Sequence, residues 1–538
     1  MPIQRTRFHS AIQPPPEQTL RTEILEPILG INKAQTPANL RPGETPACQN
    51  FIVEDRFLRP RGGVTLQRDT SSSSVPLGYV FGTPRTTDAH TKLLFTASPS
   101  QISMLLRHTI TATAAAASWS RVSSLVVPSA RTDGYWSATV LKGATPGSTT
   151  FPATIAVHPF IPPGHIGISG SSFLTLEEFY SIGSYARYCT AFDDRTILFH
   201  SGQSLAASDI SNQPTRVSWT GRGSLTSFAI GGFQDLIDMQ GDGTGVVADR
   251  DRMILTSEHE TWAGRPRRDA YAFDFFALDK TVGCPKEYER TLAHTDAGPI
   301  WLGKGFEFRR VVGNEVRTLG RKVREMLKDE MREWSHCWAL FSPKDHTYQF
   351  YYSDTTGEYP TKALFLRTDT ISAIGADSDD GVWMPQDFGT PQFTVGGHFL
   401  APGFDQTLLF RNTGTENELT ADGAQDIGTA MDCRWRSHAL RAERDRYPYE
   451  ALQECWFEYE YDSATTSTVS LFQSTDNGAT FNLVSNASLT SGVNYNMIPV
   501  AAQAARNQML ELRIADGTKP RIAGLHLKLR GYTGRHSG

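Results

Sequence analysis

One short pattern recurs along this chain and restricts what it can fold into. An apolar strand of about five residues is followed by a polar turn and a second short strand. The segments are Lys92-Leu-Leu-Phe-Thr96, Thr196-Ile-Leu-Phe-His200, Met253-Ile-Leu-Thr-Ser257, Pro299-Ile-Trp-Leu-Gly303, Thr347-Tyr-Gln-Phe-Tyr351 and Thr407-Leu-Leu-Phe-Arg411. The later spacings run at about 45 to 60 residues, and the first gap is about twice that, leaving room for one degenerate or inserted unit. A four-stranded propeller blade with its loops takes roughly 40 to 50 residues. No such unit can bury its own apolar face, so neighbours must pack around a ring. The expectation is an all-β chain: a β-propeller with an N-terminal extended arm and a C-terminal β-sandwich-like region.

Composition agrees with many short strands joined by turns. The chain has 538 residues, with 45 Gly and 30 Pro, and only 20% of it is charged. That length allows two or three domains with sizeable cores. The net charge of −5 argues against a protein that grips nucleic acid by bulk electrostatics. Six cysteines, at 48, 189, 284, 337, 433 and 455, form no C-x-x-C pair and read as isolated buried thiols in a reducing compartment. No run approaches 18 apolar residues, so no membrane span is expected. The N-terminus lacks an apolar signal core, and Pro14-Pro15-Pro16 favours an extended arm.

Three regions follow. Residues 1–65 read as an arm ending in a turn-rich segment, with Phe51 to Pro60 as a hairpin. Residues 66–430 hold the propeller, with a doubtful blade and an insertion near 112–183. Trp119, Trp136, Trp219, Trp262 and Trp383 are expected to fill the wedges between blades. Leu319 to Trp334 carries apolar residues every three or four positions and predicts a helix on the propeller rim. Residues 431–538 change character and read as a small antiparallel sandwich, with a clean alternation from Leu525 to Arg530.

The candidate chemistry is thin. Ser474-Thr-Asp476-Asn-Gly478-Ala-Thr480-Phe481 resembles the sialidase Asp box, S-x-D-x-G-x-T-W, with Phe for Trp. It occurs once and reads as a structural turn. Asp193–Asp194, Asp249–Asp251 and Asp377–Asp379–Asp380 are carboxylate groups that could in principle serve sugar hydrolysis, though acidic residues in loops are usually turn formers. Gln240-Gly-Asp-Gly-Thr-Gly245 lacks the lysine of a P-loop and the acidic spacing of an EF-hand. His259, His294 and Asp296 lack the companions of a zinc site. The sequence therefore assigns no catalytic, cofactor-binding or metal-ligating residue, and the expectation is a chain without enzymatic activity or cofactor.

Two signatures carry a resemblance. Asn39-Leu-Arg-Pro-Gly-Glu-Thr-Pro-Ala-Cys-Gln-Asn50, followed by Phe57-Leu-Arg-Pro-Arg-Gly-Gly63, resembles a pattern near the start of tailed-bacteriophage β-propeller proteins, "L-x-P-G-E … N … G-x-L-x-x-R-x-G". Arg56 stands where that pattern has glycine. Arg252 to Gly264, and Val282-Gly-Cys-Pro-Lys286 with Thr295 to Leu302, resemble blades of the same class. The resemblance implies a structural virion protein of the tail, of the tail nozzle (tail tubular protein B-like) class. Its copies would form a homo-oligomeric ring, six by resemblance, around the DNA exit conduit. The ring would dock to an adaptor or portal-proximal protein and to tail fibres or tailspikes, with transient passage of phage DNA, after assembly in the host cytoplasm. Two alternatives stand beside it: a tail-tip or hub protein of a longer-tailed phage, and a glycan-binding or glycan-cleaving propeller of the depolymerase kind.

Overall fold

A computed structural model gives the architecture. It describes residues 20–532, except 27–28, 55–56, 69–74, 83–89, 98–101, 111–119, 127–134, 142–152, 160, 168–173, 176–183, 204–212, 225–227, 268–271, 332, 355–358, 372–380, 402–403, 412–417, 424, 427–428, 443–448, 464 and 500–504. Among the described residues, seven four-stranded antiparallel sheets follow one another as blades. Blade 1 runs from Val75 to Val126, blade 2 from Ser137 to Thr175 and blade 3 from Ser184 to Asp235. Blade 4 runs from Gly243 to Asp279, blade 5 from Ala293 to Leu319 and blade 6 from Glu333 to Asp387. Blade 7 takes three strands from Phe393 to Gly423, and its fourth is Gly63–Arg68, from the other end of the chain. The first strands of successive blades pack side by side, and that of blade 7 meets that of blade 1. The ring is closed.

The recurring sequence is the second strand of each blade. That strand has a sheet neighbour on both edges and another blade on both faces, so alternation is lost and the segment reads as continuously apolar. Ile197, Leu198 and Phe199 are all 0% exposed, as are Met253, Ile254 and Leu255. The double gap conceals the second strand of blade 2, Ala153–His158. It is buried throughout, but Ala153, Thr154 and Ala156 break up the run of large apolar side chains. Region 112–183 thus holds the last strand of blade 1 and the whole of blade 2, which corrects the expected insertion.

Aromatic rings fill the wedges between blades. Trp136 stacks on Phe95 at 4.9 Å, Trp219 meets Phe273 edge-on at 5.2 Å, and Trp383 lies 4.7 Å from Phe308. Turn residues also tie blades together: His346 Nδ1 lies 2.7 Å from an Asp296 carboxylate oxygen. Trp119 falls outside the described residues.

The helix expected over Leu319–Trp334 is corrected to seven residues, Arg324–Glu330. Leu319 ends a strand, and Gly320 at φ +79° turns the chain. Leu319, Val323, Leu327 and Met331 are indeed all buried. A strand end, a turn and one short helix therefore satisfy the same apolar spacing that a long helix would. Beyond Met331 the chain must extend, because Glu333–Ser342 is the first strand of blade 6.

The sandwich consists of two six-stranded sheets, and the N-terminal segment is woven into both. Leu20–Leu25 and the hairpin Phe51–Glu54/Phe57–Pro60 pair with Arg521–Tyr532. Cys48–Gln49 pairs with Cys433–Arg436 in the second sheet. The segment therefore does not stand apart as an arm. Leu25 is buried in the sandwich core and Ile31 in the propeller core, while Ile24 stays 52% exposed. Leu29 is half-buried, and Ile28 lies outside the described residues. Sandwich residues share one continuous core with Trp338, Tyr351 and Phe365 of blade 6 and Leu409 of blade 7.

The signature residues of the N-terminal segment build a buried junction. Arg61, 1% exposed, makes a two-pronged ion pair with Asp426 and donates to the carbonyl of Asp387 at 2.8 Å and to Asn50 Oδ1 at 3.2 Å. Its guanidinium also lies 4.2 Å above the Phe388 ring. Asn50, at φ +61°, donates from Nδ2 to the carbonyl of Asp432 at 3.0 Å. Glu44 accepts from Asn32, from the Arg41 amide and from Lys322. The Arg61 and Asn50 contacts fasten blades 6 and 7, the N-terminal segment and the sandwich together, and Glu44 ties the same segment to Lys322 in the turn after blade 5.

The Asp-box-like turn belongs to a sandwich hairpin, between Ser467–Ser474 and Asn482–Leu489. Asp476 accepts from Ser474 Oγ at 2.7 Å and from the Thr480 amide at 2.9 Å, and Gly478 sits at φ +89°. The Ser474 and Thr480 hydrogen bonds hold the Asp476 carboxyl far below its usual value of 3.8. A depressed folded-state value contributes stability above the unfolded value and loses it only as pH falls through the folded one. The Gly478 and Thr480 amide resonances should therefore stay fixed through pH 3.8 and move only in stronger acid. A titration of those amides centred near pH 4 in an NMR series would contradict this.

Candidate functional site: the cavity on the propeller axis

First strands line the axis, so the site must be built from residues far apart in sequence. A cavity of roughly 300 Å³ lies there, lined by blades 2, 3, 4, 6 and 7 and by the connection from blade 4 to blade 5. That connection contains a 3₁₀ turn, Lys286–Thr291, which packs on the first strands of blades 4 and 6. Gly283 allows the approach: a Cβ there would sit 2.3 Å from the carbonyl oxygen of Ser257 and 2.5 Å from the His259 amide. The far end of the turn is pinned by Thr291, whose Oγ1 donates to the carbonyl of Tyr288 at 2.7 Å and accepts from the Leu302 amide at 2.9 Å. Tyr348 Oη donates to the Thr291 carbonyl at 2.7 Å.

This anchoring sets Glu289 and Arg290 against the axis. Tyr188, on the first strand of blade 3, donates a hydrogen bond from Oη to Glu289 Oε2. Burial raises the Glu289 carboxyl above the ordinary range, against the opposing pull of Tyr188, Arg187 and Arg290. Burial, and then the Glu289 charge, push the Tyr188 hydroxyl well above its usual value. The pair is thus a neutral phenol donating to a carboxylate of raised basicity.

Arginines flank the pair. Arg187 precedes Tyr188 on the same strand. The pairing of that strand skips Arg187 opposite His200, whose φ is +54°, and both Arg187 and Tyr188 line the cavity. Arg290 donates to the carbonyl of Thr394 at 2.7 Å and lies 3.8 Å above the Tyr135 ring. Tyr135 in turn sets its Oη 2.5 Å from His336 Nδ1, and the His336 ring packs 4.7 Å from Tyr359. Such a constellation can move a proton between Tyr188 and Glu289 and hold a polar ligand against two guanidinium groups.

Among the described residues, none of the carboxylates weighed from the sequence lines this cavity. Asp193 and Asp194, at φ +51° and +54°, turn the hairpin of blade 3, and Asp193 pairs with Arg222 at 2.6 Å. Asp249 pairs with Arg252 at 3.3 Å and lies 3.7 Å from His294, bridging blades 4 and 5. Asp377, Asp379 and Asp380 fall outside the described residues. Gln240–Gly245 leads into blade 4 through Gly241 at φ +79°, and His259 sits in a turn beside it. Among the described residues no three His, Cys, Asp or Glu side chains gather as a metal site, and no helix is long and apolar enough to cross a membrane. All six cysteines are buried and unpaired as disulfides.

No protein-family model matches the chain, and no curated protein matches it. Among solved structures it is similar to an exo-β-1,3-galactanase from Phanerochaete chrysosporium. A variant of that enzyme with β-1,3-galactotriose matches at 8% identity and a TM-score of 0.28, over 87% of this chain and 99% of that one. The galactose complex matches at 9% identity and a TM-score of 0.27, over 87% and 100%. An ancestral GH74 enzyme matches at 10% identity and a TM-score of 0.38, over 81% of this chain and 55% of that one. These solved structures are of enzymes, which runs against the expectation of a chain without enzymatic activity.

Proposed function

We propose that the chain is a glycan-cleaving propeller whose site is the axial cavity. The observation that carries this reading is the Tyr188–Glu289 hydrogen bond, half-buried on the lining of the cavity. Glycosidases commonly use two carboxylates, but a tyrosine nucleophile is an established exception. Glu289 is the one carboxylate lining the cavity among the described residues. Tyr188 Oη attacks the anomeric carbon as its proton passes to Glu289 Oε2, so a neutral nucleophile is activated by an adjacent base. The glycosidic C–O bond breaks, and the leaving oxygen keeps the electron pair and takes a proton from water. The hydroxide so formed attacks the same carbon, and the Tyr188 oxygen recovers its proton from Glu289.

The test is reducing-end release from a panel of bacterial surface polysaccharides by the intact chain. Cleavage of at least one is expected, with Glu289→Gln and Tyr188→Phe each lowering the rate about 100-fold or more. Asp193→Asn, on the outer hairpin of blade 3, should leave the rate unchanged. No release from any polymer, or full activity in Glu289→Gln, overturns the reading.

A second reading is favoured by the junction of Glu44, Asn50 and Arg61. The residues that resemble the phage tail signature are those that fasten the propeller to the sandwich. In this reading the chain shares the scaffold of that class, and in a tail the sandwich or propeller rim meets other copies and the adaptor. The two readings are compatible, because a tail protein facing the host envelope could carry a glycan-cleaving site. Negative-stain images and light scattering of the pure protein test it: closed rings support the virion reading, and a monomer at micromolar concentration opposes it.

A further inference from the structure

Resting on the glycan-cleaving reading, we infer that the axial cavity takes a sugar bearing a carboxylate, with Arg187 and Arg290 as its specificity-determining residues. Charge balance is the first ground. The ionisable cavity lining holds two guanidinium groups, Arg187 and Arg290, against the single carboxylate of Glu289. That carboxylate is already engaged by Tyr188, and its raised basicity leaves it protonated more readily than an ordinary glutamate. The cavity is therefore positive with Glu289 ionised, and more so when it is protonated. A buried positive excess is costly unless an anion meets it.

Unused donors are the second ground. Arg187 Nε and Arg290 Nη1 are both buried and without a hydrogen-bond partner among the described residues. Buried polar groups are nearly always paired, and a specific exception needs an explanation. Here the donors border a cavity instead of sitting in packed core. Arg290 is also preorganised, since the Thr394 carbonyl and the Tyr135 ring hold its fork in place before any ligand arrives. Guanidinium groups match the planar geometry of a carboxylate, and each can engage it through two parallel N–H donors. A neutral sugar offers hydroxyls, which leave the charge uncompensated.

Size sets the third constraint. A cavity of roughly 300 Å³ suits about one sugar ring, so a terminal or single internal acidic residue would occupy it rather than a long run of polymer. Two sources share the required chemistry: a uronic acid, with its carboxylate on C6, and a nonulosonic acid, with its carboxylate on the anomeric carbon. In both, one sugar ring carries a carboxylate for the arginines and an anomeric carbon for Tyr188.

The experiment is calorimetric titration of the intact protein with D-glucuronic acid, N-acetylneuraminic acid and D-glucose, each on the wild type, Glu289→Gln, Arg187→Met and Arg290→Met. One of the two acids should bind, and glucose should bind about 30-fold more weakly or not at all. Whichever acid binds identifies the source. Each Arg→Met variant should lose about 30-fold in affinity for that acid, with Arg187→Lys recovering part of it. Glu289→Gln should retain acid binding even though it cannot cleave, which separates this inference from the catalytic reading. Acid binding that survives without any cleavage in the wild type sinks the catalytic reading alone. Equal binding of glucose and both acids, or Arg variants that fold with an unchanged melting temperature and bind as the wild type does, overturns the inference.

Discussion

Arg61→Ala should be the most damaging single substitution in the chain, costing about 3 to 5 kcal/mol. The side chain is 1% exposed, and its removal leaves Asp426 in the junction with, among the described residues, only the Val64 amide donating to it, at 2.9 Å. Breaking one partner of a buried pair is far costlier than losing a surface pair. The exposed Arg317–Glu315 pair, with side chains 47% and 71% exposed, supplies the contrast. Its removal should change stability by less than about 1 kcal/mol. Lysine is no remedy at position 61, because a point charge cannot grip Asp426, the Asp387 carbonyl and Asn50 together. The measurement is the urea midpoint of each variant, followed by tryptophan fluorescence. The double variant Arg61→Met/Asp426→Asn should recover part of the loss, since it leaves no uncompensated charge. A midpoint for Arg61→Ala within error of the wild type would remove the junction from the account of stability.

A chain starting after residue 68 should not fold. The cut removes the outer strand of blade 7 and four strands of the sandwich sheets. Among the well-buried apolar side chains it removes are the seven Leu25, Ile31, Phe51, Ile52, Val53, Leu58 and Val64. At about 1.5 to 3 kcal/mol each, their loss is on the order of 10 to 20 kcal/mol. Whole domains of ordinary stability have only about 5 to 15 kcal/mol to lose. An open blade 7 would also expose an unpaired edge, a template for aggregation. The expected outcome is an insoluble product, or one without a cooperative melt by circular dichroism. A soluble, monomeric truncated chain melting near the wild-type temperature would show that the first 68 residues are dispensable.

The legible parts of this fold are those where burial overrides alternation. Ile197-Leu198-Phe199 and Ile300-Trp301-Leu302 announce second strands because both faces are covered. Ala153 to His158 occupies the same place with smaller side chains, so its blade stays hidden in the sequence. The apolar spacing from Leu319 to Met331 is real, yet it is satisfied by a turn with a positive-φ glycine and one short helix. The cavity has no sequence signal at all. Tyr188 and Glu289 lie 101 residues apart, and Tyr135 and His336 lie 201 apart. Each is an isolated polar residue on its own element, and only ring closure brings them together. The acidic pairs that do attract notice, Asp193–Asp194 and Asp249–Asp251, are spent on hairpin turns.

Closure of blade 7 by Gly63–Arg68 also orders events during synthesis. Arg61 leaves the ribosome early, yet its partner Asp426 is 365 residues further along the chain. At about 5 to 20 residues per second, the wait lasts roughly 20 to 70 seconds. Throughout that interval Gly63–Arg68 has no partner for its edge, and the hairpin Phe51–Pro60 has no sandwich to join. Blades 1 to 6 can form locally in order, but the final step must capture the waiting segment. Such non-local pairing is slow and exposes strand edges while it is pending. A nascent chain of this design therefore depends on whatever shields its N-terminal strands, and slowing translation should lower the yield of folded protein rather than raise it.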